Sequence, residues 1–569
     1  MQFNELVPNF TKQEDLLDKY LKQHNIMDTK KFLRPVAKNL EFNSAYHNIR
    51  KAANNFMKHR NKSKKIYILC DVDCDGLFST ALMMDFCTQS LGIAPFLLIH
   101  GGTYLKTHGL TDESVLKIIE EDPPDMLIVP DAGSNDVEAC RRIKDAGVQT
   151  ILILDHHTML EYNKYAYVVN NQNPDNCNIH NIALSGTGVA WKFCDYVNNT
   201  FNLGIDTKQY LDLVAFSICS DVCDVTTLEN RYILDYGLGH ITNTGLKAFC
   251  ETFAKTLAPT PEEVVWKIVP KLNAVMRFDN IELKGRILRM LSSYCSLKEM
   301  NDEYSEEYVI KEMKHAHRDQ TNLTKEISER LLEDIDPNSK VSISFVDSDN
   351  LAFTGLLASK ITGKTRKPAL VIRDIGEQYI GSVRTDNGKF FDLCQDSGLF
   401  DFVAGHKEGA FGIGFPKENL EPLKKYFGEL DLSYESVYNV VKVLEGKEVS
   451  KYIDIFGLTA CYKYLWGHGL EKPVFGIRHI FINGKDISPI GKTQSTITFR
   501  YGRDNMKFIR FFTSKEDKEK LHIGEDVDLE LEIIGTLEIN EYNDMITPQV
   551  QFTDFEVKIA DRPQIDSLF

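Results

Sequence analysis

Asp71, Asp73 and Asp75 occupy every second position of a DVDCDG run that follows the apolar stretch Ile66 to Cys70 and leads into Gly76. Alternate residues of an extended segment point the same way, so two or three of these carboxylates converge. Such crowding is costly unless cations neutralise it. Taken alone, the run also fits a calcium loop or a phosphatase that forms an aspartyl-phosphate. Asp155, His156 and His157 follow a second apolar stretch, Ile151 to Leu154, and Asp131 follows a third, Met126 to Val129, after Pro130. Oxygen donors with one imidazole suit Mn2+ or Mg2+ better than zinc. Asp221 sits in the apolar segment LDLVAFSICSDVCD, where an unpaired carboxylate is expensive and a metal ion would remove the cost.

These acids need a scaffold that brings strand ends together. Over the first 230 or so residues, short apolar runs (Ile66 to Cys70, Phe96 to Ile99, Met126 to Val129, Ile151 to Leu154, Ala166 to Val169) alternate with helical stretches. That alternation predicts a parallel sheet covered by helices. In open sheets of this kind the ligand site lies outside the carboxyl ends of the strands, which gathers Asp71, Asp131 and Asp155 along one edge. From about Asp206 to Leu297 the pattern is helical, and 309–335 reads as one long, mostly solvated connecting helix. A smaller α/β segment follows from about Val341 to Glu429, and alternating segments after Tyr452 predict a small C-terminal β-barrel, for which an OB-type barrel is favoured. The expected division is 1–300 for the catalytic domain with an N-terminal helical extension, 301–335 for the connecting helix, 336–435 for a strand-binding domain, 436–560 for a linker and barrel, and 561–569 for a flexible tail.

The chain has 569 residues, 43% hydrophobic and 26% charged, which predicts a multidomain globular enzyme. No run of about 18 apolar residues and no signal-peptide pattern is present, so a cytoplasmic protein, acting as a monomer away from membranes, is expected. Its 12 cysteines form no CxxC pair and read as small buried thiols. A formal charge of −16 is unfavourable for a nucleic-acid partner, which requires a local basic track or bound cations.

Several motifs in order carry a family resemblance. DVDCDG, Asp131-Ala132-Gly133, Asp155-His156-His157 and Ser220-Asp221 resemble the four motifs of the DHH phosphoesterase family. Ser185 to Ala190, Glu229-Asn230-Arg231 and Pro270 to Ala274 are similar to core segments of its RecJ-like single-strand exonucleases. Phe353 to Ala358, Lys367-Pro368, Gly381 to Arg384 and Ala404-Gly405-His406 resemble the accessory DHHA1 domain. The resemblance implies two divalent cations, Mn2+ or Mg2+, one held by Asp73 and Asp131, the other by Asp75, Asp131, His156 and Asp221. Asp71 would stand behind them and His157 would face the scissile phosphate. It further implies hydrolysis of single-stranded DNA from 5′ to 3′ to mononucleotides, with Ser382, Arg384, Gly405 and His406 gripping the strand. Ala404 and Phe411 replace glycines of the family pattern, and Phe411 is expected to narrow the channel or stack on a base. Hydrolysis of a short RNA or a cyclic dinucleotide, and a non-catalytic replication scaffold, are the competing readings. Gln564, Leu568 and Phe569 resemble a peptide that docks on the replication sliding clamp.

Overall fold

The computed structural model describes every residue except 61–63, 101–108, 279, 293–304, 348–352, 408, 433–436, 543–544 and 561–569. The chain divides into two compact units, one formed by residues 37–434 and the other by 1–36 together with 435–569.

Five parallel strands centre the larger unit, in the order Phe96–Ile99, Ile66–Cys70, Met126–Pro130, Thr150–Asp155, Tyr167–Asn170. The three middle strands are buried along their whole length, which is why they read as unbroken apolar runs rather than as alternation. Tyr67, Leu69, Leu127, Val129, Ile151 and Ile153 turn to one face and pack with Val115, Ile119, Cys140 and Ile143 of helices Glu113–Glu121 and Val137–Asp145. Helices Cys74–Leu91 and Gly186–Phe201 pack against the sheet and each other, and both are buried over most of their surface. The chain runs outward from Ile66–Cys70 to Phe96–Ile99 and then crosses back to Met126–Pro130 on the other side. That reversal of strand order opens a crevice at the carboxyl ends of the two central strands, where Asp71 and Asp131 lie.

Glu229 and Asn230 brace the loops that lead to this edge. The Asn230 amide donates to Ala183 O at 2.9 Å, just before helix Gly186–Phe201, and to Asp224 O at 2.8 Å, just after Asp221. Glu229 is ion-paired to Lys192, both fully or nearly fully buried, and accepts from the Asn181 amide at 3.0 Å and from Glu41 N at 2.8 Å.

The long helix Glu306–Glu333 starts at the Ser305 cap and leads to a second, five-stranded sheet. Its order is Phe402–His406, Ala410–Pro416, Gln378–Arg384, Ala369–Asp374, Ser342–Val346. All of this belongs to the same compact unit as the first sheet.

In the smaller unit seven strands form one sheet in the order Val443–Glu445, Phe475–Asn483, Asp528–Tyr542, Met545–Ile559, Met506–Arg510, Thr496–Tyr501, Ser488–Ile490. Residues 1–36 of the N-terminal helical extension, expected with the catalytic domain, belong here instead, whereas helix Ile49–Met57 stays with the larger unit. Strand Gln2–Glu5 pairs in parallel with Val437–Val440, and the Phe3 ring fills the space above Gly476, where a Cβ would come within 2.9 Å of it. Sequence periodicity carries no information about so distant a pairing. Among the described residues no helix is long and apolar enough to cross a membrane.

Lys192→Met should lower the stability of the larger unit by about 3–5 kcal/mol, because Glu229 stays buried without its cation. Denaturant unfolding measures this, and the double variant Lys192→Met/Glu229→Gln should recover much of the loss.

Candidate metal centre

Each acid of the DVDCDG run has a different anchor. The Asp71 side chain is buried where the strand ends, and its Oδ1 accepts from Gly109 N at 3.3 Å. Asp73 caps helix Cys74–Leu91, accepting from Gly76 N at 3.0 Å. Asp75 enters the first turn of that helix and accepts four hydrogen bonds, from Gly186 N (2.7 Å), Thr187 N (2.8 Å), Thr187 Oγ1 (2.5 Å) and Ser217 Oγ (2.5 Å). Two of those donors are the free N–H groups of helix Gly186–Phe201, whose positive end favours a carboxylate. Both glycines are required by close approach. A Cβ at Gly76 would lie 2.7 Å from Asp71 Cβ, and one at Gly186 would overlap the Asp131 carboxylate.

Asp131 adopts a left-handed backbone, φ 67°, fixed by a 2.7 Å bond from its N–H to Leu154 O. Its side chain is buried, and among the described residues its Oδ1 receives no hydrogen bond. Burial and the charges of Asp75, Asp73, Asp71 and Asp221 push its carboxyl far above the usual range. His156 Nε2 stands 3.3 Å from Asp131 Oδ1, 3.6 Å from Asp221 Oδ2 and 3.8 Å from Asp75 Oδ2. Asp221 ends helix Leu211–Ser220. Burial raises its carboxyl to about 6, opposed by His156 and reinforced by Asp75 and Asp73.

The potential ligand atoms fall into three overlapping groups: Asp71, Asp73 and Asp131; Asp75, His156 and Asp221; Asp131, His156 and His157. Asp131 thus stands between an all-carboxylate group and one that contains imidazole. A buried carboxylate oxygen without a donor, amid four other acids, is the environment that a divalent cation satisfies, and the donor set is that of Mn2+ or Mg2+.

Asp155 turns away from this cleft. It accepts from Ser134 N (3.0 Å), His156 N (2.7 Å), His157 N (3.1 Å) and His157 Nδ1 (2.8 Å). Burial works against its charge, but His157, His156 and these donors hold its carboxyl well below the usual range. In return, although burial pulls the other way, the Asp155 hydrogen bond and charge push His157 up to about 10. Asp155 therefore positions the histidine pair, with Nδ1 of His157 engaged and its ring more than half exposed.

Sequence reading missed several residues here. His100, at the end of strand Phe96–Ile99, is fully buried, with Nδ1 3.3 Å from Asp112 Oδ2 and Nε2 3.8 Å from Asp71 Oδ1. The Asn170 amide donates to His157 O and Ser134 Oγ, both at 2.9 Å, and the Gln172 amide to His156 O at 2.5 Å, which fixes the backbone of the histidine pair. The signal available was position: all five strands end at a polar residue, Asp71, His100, Asp131, Asp155 or Asn170. On helix Val269–Arg277, Asn273 accepts from Cys74 Sγ at 3.2 Å, and Arg277 lies in the field of Asp73.

Arg384 in turn lies in the field of Arg277, where burial and that neighbouring charge weaken its hold on its proton. Among the described residues Arg384 makes no ion pair; its Nη1 donates to Val383 O at 2.8 Å. Ser382 Oγ is 2.9 Å from Thr354 Oγ1. Gly405 has φ 132°, a conformation that favours glycine, beside the His406 backbone; the His406 side chain lies outside the described residues. Phe411 does not reach a channel. It is buried in the core of the second sheet against Phe391, ring centroids 5.0 Å apart, because strand alternation turns it inward. Cys70, Cys74, Cys219 and Cys223 are buried free thiols.

The crevice at the sheet reversal, lined by acids and one histidine pair, lies largely within residues 65–218, which match the DHH family, N-terminal domain, and residues 463–554 match the RecJ OB domain. The chain is 28% identical over 572 residues to the putative SPbeta prophage-derived single-strand DNA-specific exonuclease YorK of Bacillus subtilis (strain 168), covering 95% of this chain and 96% of that protein. It is 24% identical to the single-stranded-DNA-specific exonuclease RecJ of the same organism, over 90% of this chain and 63% of that protein. The crystal structure of RecJ with Mn2+ from Thermus thermophilus superposes with a TM-score of 0.73 at 19% identity, covering 97% of this chain and 78% of that one. The chain is RecJ-like in domain content and in fold.

Asp221→Asn should show what the acidic cleft costs. The folded carboxyl titrates near 6, above its ordinary 3.8, so the penalty for its charge is absent below about pH 4 and complete above about pH 6. In chelator, the variant should melt higher than the parent at about pH 8 and no differently near pH 4. Calorimetry measures both, and Mn2+ should stabilise the parent far more than the variant.

Proposed function

We propose that this chain is a metal-dependent exonuclease that hydrolyses phosphodiester bonds of single-stranded DNA, proceeding 5′ to 3′ and releasing mononucleotides. The observation that carries the reading is the buried Asp131 oxygen without a donor, set between two ligand groups. The names of the YorK and RecJ relatives support the substrate, and the RecJ OB domain match supports a polymer rather than a small phosphoester.

Asp73 and Asp131, with Asp71 behind, would hold one divalent cation, and Asp75, Asp131, His156 and Asp221 the other. When bound, such a pair supplies an activated water and neutralises charge on the phosphate. The protein's own part is preorganisation. Helix Gly186–Phe201 and Ser217 lock the Asp75 carboxylate, and Asp155 turns His157 outward as a cationic donor toward a phosphate oxygen. Arg277 and Arg384, neither of them ion-paired among the described residues, would take the phosphates on either side of the reacting bond, with Ser382, Gly405 and His406 adding contacts. Two guanidiniums in each other's field repel unless an anion lies between them. The full set of acids argues against a scaffold that has lost catalysis. Gln564, Leu568 and Phe569, outside the described residues, would dock on a sliding clamp through two apolar anchors.

End-labelled single-stranded DNA, duplex DNA, short RNA and a cyclic dinucleotide, offered with Mn2+ or Mg2+, should separate the readings. Single-stranded DNA should be degraded, with Asp131→Ala reducing turnover at least about 100-fold. Turnover of the cyclic dinucleotide but not of DNA would overturn the proposal. Removing residues 564–569 should leave nuclease activity intact and abolish capture by immobilised clamp; unchanged capture refutes the docking role.

A further inference from the structure

Helix Val269–Arg277 places Asn273 and Arg277 at the acidic cleft, but Lys271 on the same helix faces other neighbours. The Lys271 ammonium lies 5.8 Å from the centroid of the Phe253 ring, and Lys314 of the long helix lies at the same distance from that ring. Neither is ion-paired among the described residues, whereas neighbouring Lys267 pairs with Glu263 at 2.8 Å. Burial, reinforced by the charge of Glu251 on the Phe253 turn, raises the carboxyl of Glu306, and among the described residues Glu251 pairs with neither lysine. Burial draws the Lys271 ammonium toward deprotonation, and burial together with Lys271 does the same to His317. Lys271 and Lys314 therefore share the Phe253 ring without a direct ion pair, although Glu251 lies two residues away, in a chain of net charge −16.

The turn Val264–Ile268 packs against the turn Cys250–Ala254 that carries Phe253, and it holds Trp266 at 71% exposure. The other two tryptophans, Trp191 and Trp466, are each 3% exposed. A large indole left in water, on a turn packed against the one whose Phe253 ring faces two ammoniums, is complementary to a ligand that carries both flat faces and negative charge. Single-stranded nucleic acid has that chemistry, since bases stack on aromatic rings and phosphates pair with lysines.

We propose that Trp266, Phe253, Lys271 and Lys314 form a strand-binding surface for nucleotides beyond those at the metal centre, with the indole stacked on a base and the two ammoniums on phosphates. The proposal rests on the nuclease reading above. It places a basic track within a strongly acidic chain.

The test uses the full chain bearing Asp131→Ala, in chelator. Because Trp266 alone among the tryptophans is exposed, oligothymidylate longer than roughly 16 nucleotides should quench the protein fluorescence. By anisotropy of the labelled oligonucleotide, Trp266→Ala should weaken binding about tenfold, the value of one stacked base. Lys271→Gln/Lys314→Gln should lower the slope of log K against log salt by about 1.4, two phosphate contacts at roughly 0.7 each. In chains that retain Asp131, turnover of an oligothymidylate of about 4 nucleotides should be unchanged by either set of substitutions. Tight binding without quenching, and without loss in Trp266→Ala, would overturn this surface while leaving the nuclease reading intact. Equal quenching by heparin, which has no bases, would overturn the stacking. Failure of the parent chain to bind or cleave any single strand would overturn the nuclease reading and this surface together.

Discussion

Five carboxylates and a histidine pair share one cleft, and their mutual repulsion is the constraint around which the larger unit is built. Asp131 bears most of it, buried and without a hydrogen-bond donor on one oxygen. The surroundings distribute the remainder. Helix Gly186–Phe201 aims its positive end at Asp75, helix Cys74–Leu91 takes Asp73 as its cap, and Asp155 is withdrawn into a nest of N–H groups. Glycines at 76 and 186 let these groups approach closely, at the expense of any side chain there. The result is a protein whose most crowded point is electrostatically incomplete by itself, with the geometry already set for cations.

That arrangement explains why the site was legible in one dimension. Strands buried on both faces are continuous apolar runs, and their carboxyl ends are marked by the first polar residue. The five runs read from the sequence fall on the five strands of the first sheet, and two of the acids at their ends, Asp71 and Asp131, meet in space, whereas Asp155 turns inward. The helix between the two sheets was legible for the same reason, as a long periodic stretch with charges on its outer face.

What the sequence concealed depends on contacts between distant segments. His100 gains its meaning only from Asp71 and Asp112 on either side of its ring, and Arg277 only from a helix that brings it beside Asp73 and Arg384. The role of Asp155 was also hidden: its place at a strand end sets it along the acidic edge, but the strand turns it inward to orient the histidine pair. Phe411 was misread because replacement of a small residue in a motif suggested a channel wall, whereas strand alternation turned it into the core.

Residues 1–36 and 435–569 make one unit, with the other inserted between them. Strand Gln2–Glu5 is synthesised before the larger unit, yet its partner Val437–Val440 emerges only after that whole unit has been made. That strand must therefore wait, unpaired, until the roughly 400 residues of the larger unit have been made. A truncation placed within the C-terminal region strands those early residues without their sheet. To isolate the larger unit, both ends must be cut together, near Val36 and Tyr434.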